Sequence, residues 1–258
     1  MKKLTSIAVL LAASMLAGCF DKNAVADITG PATGARIKFF NFGVSSPSVN
    51  FYANDTKVTG ITSGTGVESN SGVAYGGVGA GGYYSAIPGG SYTFNGRITA
   101  VTDNGLQVMK LTSTIETGKA YSFYMSGIYD ATAKSVEGFV VEDPLPATID
   151  WTQATVRFVN AVSNSQPMIL YAKNQTTGVE TAIGGVVAYK GAGVFTPMGV
   201  LATGVASTYD LSTRLAGSST NIMTRTGMTF SAGRTYTIAA RGNITVTSTQ
   251  LLDNTANR

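Results

Sequence analysis

The sequence predicts an all-β chain: two tandem antiparallel β-sandwich domains that follow a lipoprotein signal peptide. Three observations carry that prediction. An apolar leader ends on the only cysteine, β-type segments recur in the same order in both halves, and the composition is poor in charge but rich in glycine.

The leader begins with Lys2 and Lys3, continues as an apolar run from Ile7 to Leu16, and closes on Leu16-Ala17-Gly18-Cys19. A positive start, a short apolar stretch and small residues before a cysteine are what a lipoprotein signal peptidase requires. The run is shorter than the about 20 apolar residues of a membrane-spanning helix. Residues 1–18 are therefore expected to be cleaved, leaving Cys19 as the lipid-attachment site, with palmitate among its acyl chains. Residues 19–34 contain Gly30-Pro31 and no apolar period, and are expected to act as a tether. Phe20 and Asp21 follow the cysteine. Phe20 gives no strong inner-membrane retention signal, so the expected address is the bacterial cell envelope, at the outer membrane.

Charged residues make up 12% of the chain, against roughly 25% in ordinary globular proteins. Thr, Ser, Asn and 31 glycines take their place, a balance that suits a turn-rich extracytoplasmic β-protein. The net charge is +4, but half of the excess sits on Lys2 and Lys3 and the other cations are scattered. Nucleic acid is therefore not an expected partner. The chain has no histidine, which eliminates Ser-His-Asp and Cys-His catalysis and His-ligated zinc. One acylated cysteine leaves no disulfide and no thiolate metal site. No metal and no cofactor is implied.

The repeat fixes the domain organisation. Ala35-Arg36-Ile37-Lys38-Phe39-Phe40-Asn41 aligns with Ala154-Thr155-Val156-Arg157-Phe158-Val159-Asn160, and Phe51-Tyr52-Ala53 with Leu170-Tyr171-Ala172 at the same offset. Gly72-Val73-Ala74-Tyr75 answers Val186-Val187-Ala188-Tyr189, and Gly118-Lys119-Ala120-Tyr121 answers Gly233-Arg234-Thr235-Tyr236. Two sandwiches are expected at 35–142 and 154–258. Pro144 and Pro146 make a short stiff linker of residues 143–153, because each proline holds its predecessor extended.

Within each half the period is two. Arg36-Ile37-Lys38-Phe39 and Thr155-Val156-Arg157-Phe158 alternate polar with apolar, as do Ser91-Tyr92-Thr93-Phe94 and Lys119-Ala120-Tyr121-Ser122-Phe123. Such runs read as half-buried antiparallel strands. Pro88-Gly89-Gly90 reads as a turn joining residues 83–87 and 91–98 in a hairpin. Leu211 to Thr226 is the only helical candidate, and Gly217-Ser218-Ser219 breaks it. Several short strands in about 110 residues suggest immunoglobulin-like Greek-key sandwiches.

Each half resembles the domain-of-unknown-function family 4397 of secreted and lipid-anchored bacterial proteins, the first half more closely. The resemblance runs through Ala35–Asn41, Ser46-Pro47-Ser48-Val49-Asn50-Phe51-Tyr52, Val73–Val78, Tyr84–Tyr92 and Thr117–Tyr121, in the family's order. The second half departs from it at Ser163–Pro167, and Ala202–Ser207 replaces the Pro-Gly-Gly turn. The resemblance implies a small β-sandwich and an envelope address, and it brings no catalytic residues.

The most unusual stretch is Ala74-Tyr75-Gly76-Gly77-Val78-Gly79-Ala80-Gly81-Gly82-Tyr83-Tyr84. It lacks the helix and the Lys-Ser/Thr of a phosphate loop. Either it presents Tyr75, Tyr83 and Tyr84 for stacking on a ligand, or the tyrosines are half-buried strand residues with hydroxyls on backbone groups; strand propensity favours the latter. Trp151 is expected to plug the junction between the domains, with exposed ligand stacking as the alternative. Glu142 and Asp143 are adjacent, so in a strand they face opposite ways and cannot form a glycosidase pair. The remaining carboxylates are expected at the surface.

These readings point to a non-catalytic structural, adhesion or ligand-binding module of the envelope. Its expected partners are the membrane, through the lipid, and a polysaccharide, peptidoglycan or another envelope protein. The alternative is a carboxylate-based glycan hydrolase, a chemistry that needs no histidine. A third reading is an assembly partner that augments another β-protein at an exposed strand edge.

Overall fold

The computed structural model describes residues 34–60, 71–199 and 206–257 of the chain. The leader and Cys19 lie outside these residues. All the described strands belong to one compact unit, Thr33–Arg258.

The first half runs β1 (Ala35–Val44), β2 (Val49–Ala53), β3 (Thr56–Lys57), β4 (Gly77–Val78), the 3-10 turn η1 (Gly79–Gly82), β5 (Ser85–Ile87), β6 (Gly90–Ile98), β7 (Gln107–Ile115), β8 (Ala120–Asp130) and β9 (Ser135–Glu142). The second half runs β10 (Gln153–Asn160), β11 (Met168–Asn174), β12 (Glu180–Val187), β13 (Thr196–Gly199), β14 (Ser207–Leu215), β15 (Met223–Phe230), β16 (Thr235–Asn243) and β17 (Val246–Ala256). Each half is a sandwich of two sheets. In the first they are ordered β4-β1-β8-β9, with β5 also on β1, and β3-β2-β6-β7; in the second, β13-β10-β16-β17 and β12-β11-β14-β15. The all-β prediction and the sandwich architecture hold.

Pairing is antiparallel except at the centre of one sheet in each half. There β1 lies parallel to β8 from Arg36 opposite Ala120 to Val44 opposite Ile128, and β10 lies parallel to β16. The hairpin expected across Pro88-Gly89-Gly90 does not form. β5 pairs with the start of β1, whereas β6 pairs with β2 and β7 in the opposite sheet. The turn carries the chain from one sheet to the other, because Ile87 joins the partner strands of β1 instead of folding back on Tyr92.

The two-residue period explains the core. On β1, Ile37 and Phe39 face into the first sandwich, as do Tyr121, Phe123 and Met125 on β8. On β10 and β16, Val156, Phe158, Ile238 and Ala240 face into the second. The first core centres on an aromatic cluster in which Phe39 meets Phe51, Phe94 and Phe123 at ring-centre distances of 5.5, 5.8 and 5.6 Å. Phe123 is wholly buried and also touches Phe51 and Phe94. Phe123→Ala is expected to cost about 3–5 kcal/mol, the range for emptying a buried aromatic site, and denaturant unfolding checks it.

Candidate functional site

The alternate residues of these central strands are also buried. Phe40, Phe42 and Tyr124 of the first half, with Phe139, pack with Val159, Ala161 and Ala239 of the second in a separate apolar cluster. The outer faces of the two central sheets therefore form a seam between the sandwiches. Phe40 stacks on Tyr124 at 4.6 Å, and Tyr124 on Phe139 at 5.1 Å.

A polar network closes one end of the seam, and the sequence repeat gives it an approximate two-fold symmetry. Lys38 and Arg157 occupy equivalent positions on β1 and β10, each with only 1% of its surface exposed. Lys38 Nζ donates to the backbone oxygen of Ala256 (2.6 Å) and to Asn257 Oδ1 (3.3 Å) at the end of the second half. Arg157 Nη1 donates to the backbone oxygen of Glu142 (2.8 Å), and Nη2 to Asp143 Oδ1, at the end of the first. Asp143 and Asn257 are themselves equivalent: each donates its backbone N–H, at 2.7 Å, to the residue that opens its half's central parallel strand, Ala120 or Thr235. An aromatic ring covers each cation, Tyr84 at 4.3 Å from Lys38 Nζ and Phe195 at 4.8 Å from the Arg157 guanidinium carbon. Thus each half's cation caps the other half's last strand.

Asp143 is the hub. Its Oδ2 accepts from Tyr84 Oη (2.6 Å) and Ser122 Oγ (2.8 Å), and only 2% of the residue is exposed. Burial, with the Asp143 charge beside it, pushes the Tyr84 hydroxyl far above the ordinary tyrosine value. Burial lowers the Lys38 ammonium to about 8 against the partial support of Asp143. Asp143 is an interior carboxylate, its charge matched by Arg157 and its Oδ2 saturated by two hydroxyls. Glu142, its neighbour, points the other way to solvent, where Lys119 Nζ lies 3.1 Å from both Glu142 and Glu116.

The repeated segment that ends on Tyr75 also reaches across the seam. Tyr75 donates to the backbone oxygen of Thr249 at 3.0 Å, and the Arg241 guanidinium lies 4.6 Å from its ring centre. Tyr189, its equivalent, packs on Phe139 at 6.0 Å and reaches Glu137 at 3.3 Å. Gly76 sits at φ 78, a left-handed conformation that makes this turn need glycine.

Of the four aromatic candidates, Tyr75 and Tyr84 are thus half-buried seam residues, the hydroxyl of Tyr75 on a backbone group and that of Tyr84 on a carboxylate. Tyr83 is different: 78% of it is exposed. It follows Ala80, Gly81 and Gly82, all left-handed at φ 51, 64 and 87. Ala80 holds that conformation at a cost of roughly 1–2 kcal/mol, and such strain concentrates at functional positions. Beside Tyr83 is a groove of about 800 Å³ lined, among the described residues, by Val58, Thr59, Val73, Val78 and Ser85, with Gly60 and Gly72. Gly79 also lines it, and a β-carbon there would lie 2.6 Å from Thr59 Cγ2. Groove and ring together offer apolar walls, backbone polar groups and one stacking face, which suits a small neutral ligand.

Trp151 does not plug the junction. It is 75% exposed, at the far side of the linker, because the seam is already filled by Phe40, Phe42 and Tyr124. Among the described residues, no group of three or more Cys, Asp or Glu side chains comes together to hold a metal ion. Sequence reasoning missed Lys38, Arg157 and Asp143. The available signal was the pair of cations at equivalent repeat positions beside aromatic Phe40 on a nominally polar strand face.

The family model of a domain of unknown function, DUF4397, matches residues 35–171. The match spans the first sandwich and continues through the linker and β10 into β11. No curated protein matches the sequence.

Proposed function

The chain belongs to the DUF4397 family, and we propose that it is a non-catalytic, lipid-anchored module of the bacterial cell envelope that binds a ligand at the Tyr83 groove. The observation that carries this reading is the exposed Tyr83 ring, which lines the groove directly after three successive left-handed residues. The anchor would be Cys19, and the outer membrane its site. A polysaccharide or peptidoglycan fragment fits the groove best, because an aromatic face beside backbone donors and acceptors suits a sugar ring.

The use of the acidic residues supports the non-catalytic reading. A glycosidase needs two carboxyls facing a sugar with roughly 5–9.5 Å between them. Here Asp143 is buried on Arg157, Asp253 is bound to Arg241, and Glu180 is bound to Arg214. Glu116 and Glu142 do approach each other, but both are clamped on Lys119.

A glycan array and an envelope pull-down with the mature chain test the proposal. Saturable binding is expected, and Tyr83→Ala is expected to weaken it about tenfold, the worth of one good aromatic contact. The unfolding midpoint of that variant should match the wild type, since Tyr83 packs in neither core. Binding that ignores Tyr83 would move the site elsewhere.

A further inference from the structure

The end of the body where the chain enters also carries the linker. Gly34, just before β1, accepts a hydrogen bond from Gly118 N–H at 2.8 Å. Arg36, Gly118 and Lys119 share one depression with linker residues Pro144 to Ala147. The next depression joins Pro146, Ile149 and Asp150 to Gly233 and Arg234 of the second half. Trp151 lies over that second site: a β-carbon on Gly233 would sit 2.6 Å from its Cε3 and 3.5 Å from Ile149 Cγ2.

Trp151 is held in place as well as exposed. Asp150 Oδ1 accepts from Thr152 N–H (2.9 Å) and Thr152 Oγ1 (2.6 Å), while Oδ2 accepts from Gln153 Nε2 (2.6 Å). These bonds hold the Asp150 carboxyl below its ordinary value. They form a side-chain-closed turn with the indole and the 38%-exposed Ile149 on its surface. Arg36, Lys119 and Arg234 are matched at this end by Glu116, Glu142 and Asp150, so no net charge favours an ionic partner.

We propose that this end, through Trp151 and Ile149, docks on the lipid surface to which the chain is anchored. The proposal rests on the anchoring reading above. Residues 19–33 separate Cys19 from Gly34 and can span at most about 50 Å, so an anchored body is confined near the bilayer with its entering end closest. A rigid indole beside an aliphatic side chain is the combination that settles at a headgroup–acyl boundary. Docking would orient the seam and the groove relative to the membrane instead of leaving them on a swinging tether.

Trp151 is the only tryptophan, so intrinsic fluorescence reports on it alone. The chain also has no histidine, so a hexahistidine tag is its sole nickel ligand. The test uses the chain from residue 19 onward, with Cys19→Ser and the tag at its start. It is placed on phosphatidylethanolamine–phosphatidylglycerol vesicles that carry a nickel-chelating lipid. Flotation confirms attachment whether or not the native cysteine is acylated. The expected result is a blue-shifted emission, a several-fold loss of acrylamide quenching, and quenching by brominated acyl chains. Ile149→Glu, an exposed change that spares both cores, should remove all three. Emission, acrylamide access and brominated-lipid quenching unchanged on floated protein would overturn the docking proposal. Fatty-acid labelling of the native chain against Cys19→Ala tests the anchor separately, so failure of one does not masquerade as failure of the other.

Discussion

Asp143→Ala is expected to destabilise the protein by about 3–5 kcal/mol, the cost of stranding the partner of a buried ion pair. Arg157 would keep its bond to the Glu142 backbone oxygen and to Thr237, but its charge would lose its carboxylate partner Asp143 in a site where both side chains are almost wholly buried. Lys38, sharing the network, would lose its compensating neighbour too. Tyr84 and Ser122 would each lose an acceptor. The double change Asp143→Leu with Arg157→Met should recover much of the loss, because an apolar pair of similar volume carries no desolvation cost. The two orphaned hydroxyls should keep it below the wild type. Urea titrations of the three proteins measure these differences, and a single variant within 1 kcal/mol of wild type, about the worth of a surface pair, would mean that the seam is wet.

The second large effect is a pH dependence opposite to that of most folds. Lys38 titrates at about 8 in the folded chain against an ordinary 10.5. Between those values the unfolded chain binds more protons, so stability rises with pH. Below pH 8 the ammonium is charged in both states and costs the fold on the order of 3 kcal/mol; the cost disappears as pH climbs toward 10.5. Tyrosines set the upper limit. Burial raises Tyr84 and Tyr124, and Tyr189 is pushed up to about 12. Unfolded tyrosines ionise near 10 while these stay neutral, so stability falls above that pH. Unfolding free energy is therefore expected to peak near pH 10. Lys38→Met should flatten the rising limb between pH 8 and 10 and leave the fall above it.

What the sequence revealed and what it concealed have one physical cause. The alternation of Ile37, Phe39, Val156 and Phe158 specifies an inward face at period two, and those residues are the cores. The same alternation implies that the other face is wet, and for β1, β8, β10 and β16 it is not. The residues that contradict a wet face are Phe40, Phe42 and Tyr124, which are aromatic where a solvated strand would be polar. A parallel pair buried on both faces reads as a nearly continuous apolar run, and Phe39-Phe40-Asn41-Phe42 is such a run. Lys38 and Arg157 masked it, because a cation in an alternating strand looks solvent-facing. Lys38 is buried against a strand end 218 residues away and Arg157 against one 15 residues away across the linker, pairings that local pattern cannot reveal except through the repeat itself.

Tyr83 and Tyr84 show the same limit from the other side. They are adjacent and chemically identical, yet one hydroxyl is held by Asp143 and the other ring is exposed. Tyr83 is extended at φ −83 and ψ 156, so the two side chains point to opposite sides of the chain, and which side is buried is set by Asp143, 59 residues away, beyond the reach of local pattern. Trp151 was misplaced because a linker aromatic between two domains suggests a plug, and the plug is supplied instead by the central strands.

The seam makes the two sandwiches one folding unit, and scanning calorimetry of the mature chain tests that most directly. A single transition with equal calorimetric and van't Hoff enthalpies is predicted for the wild type, splitting into two in Asp143→Ala as the halves uncouple. Two independent transitions in the wild type would contradict the account and return the chain to a pair of separately folded beads on a linker.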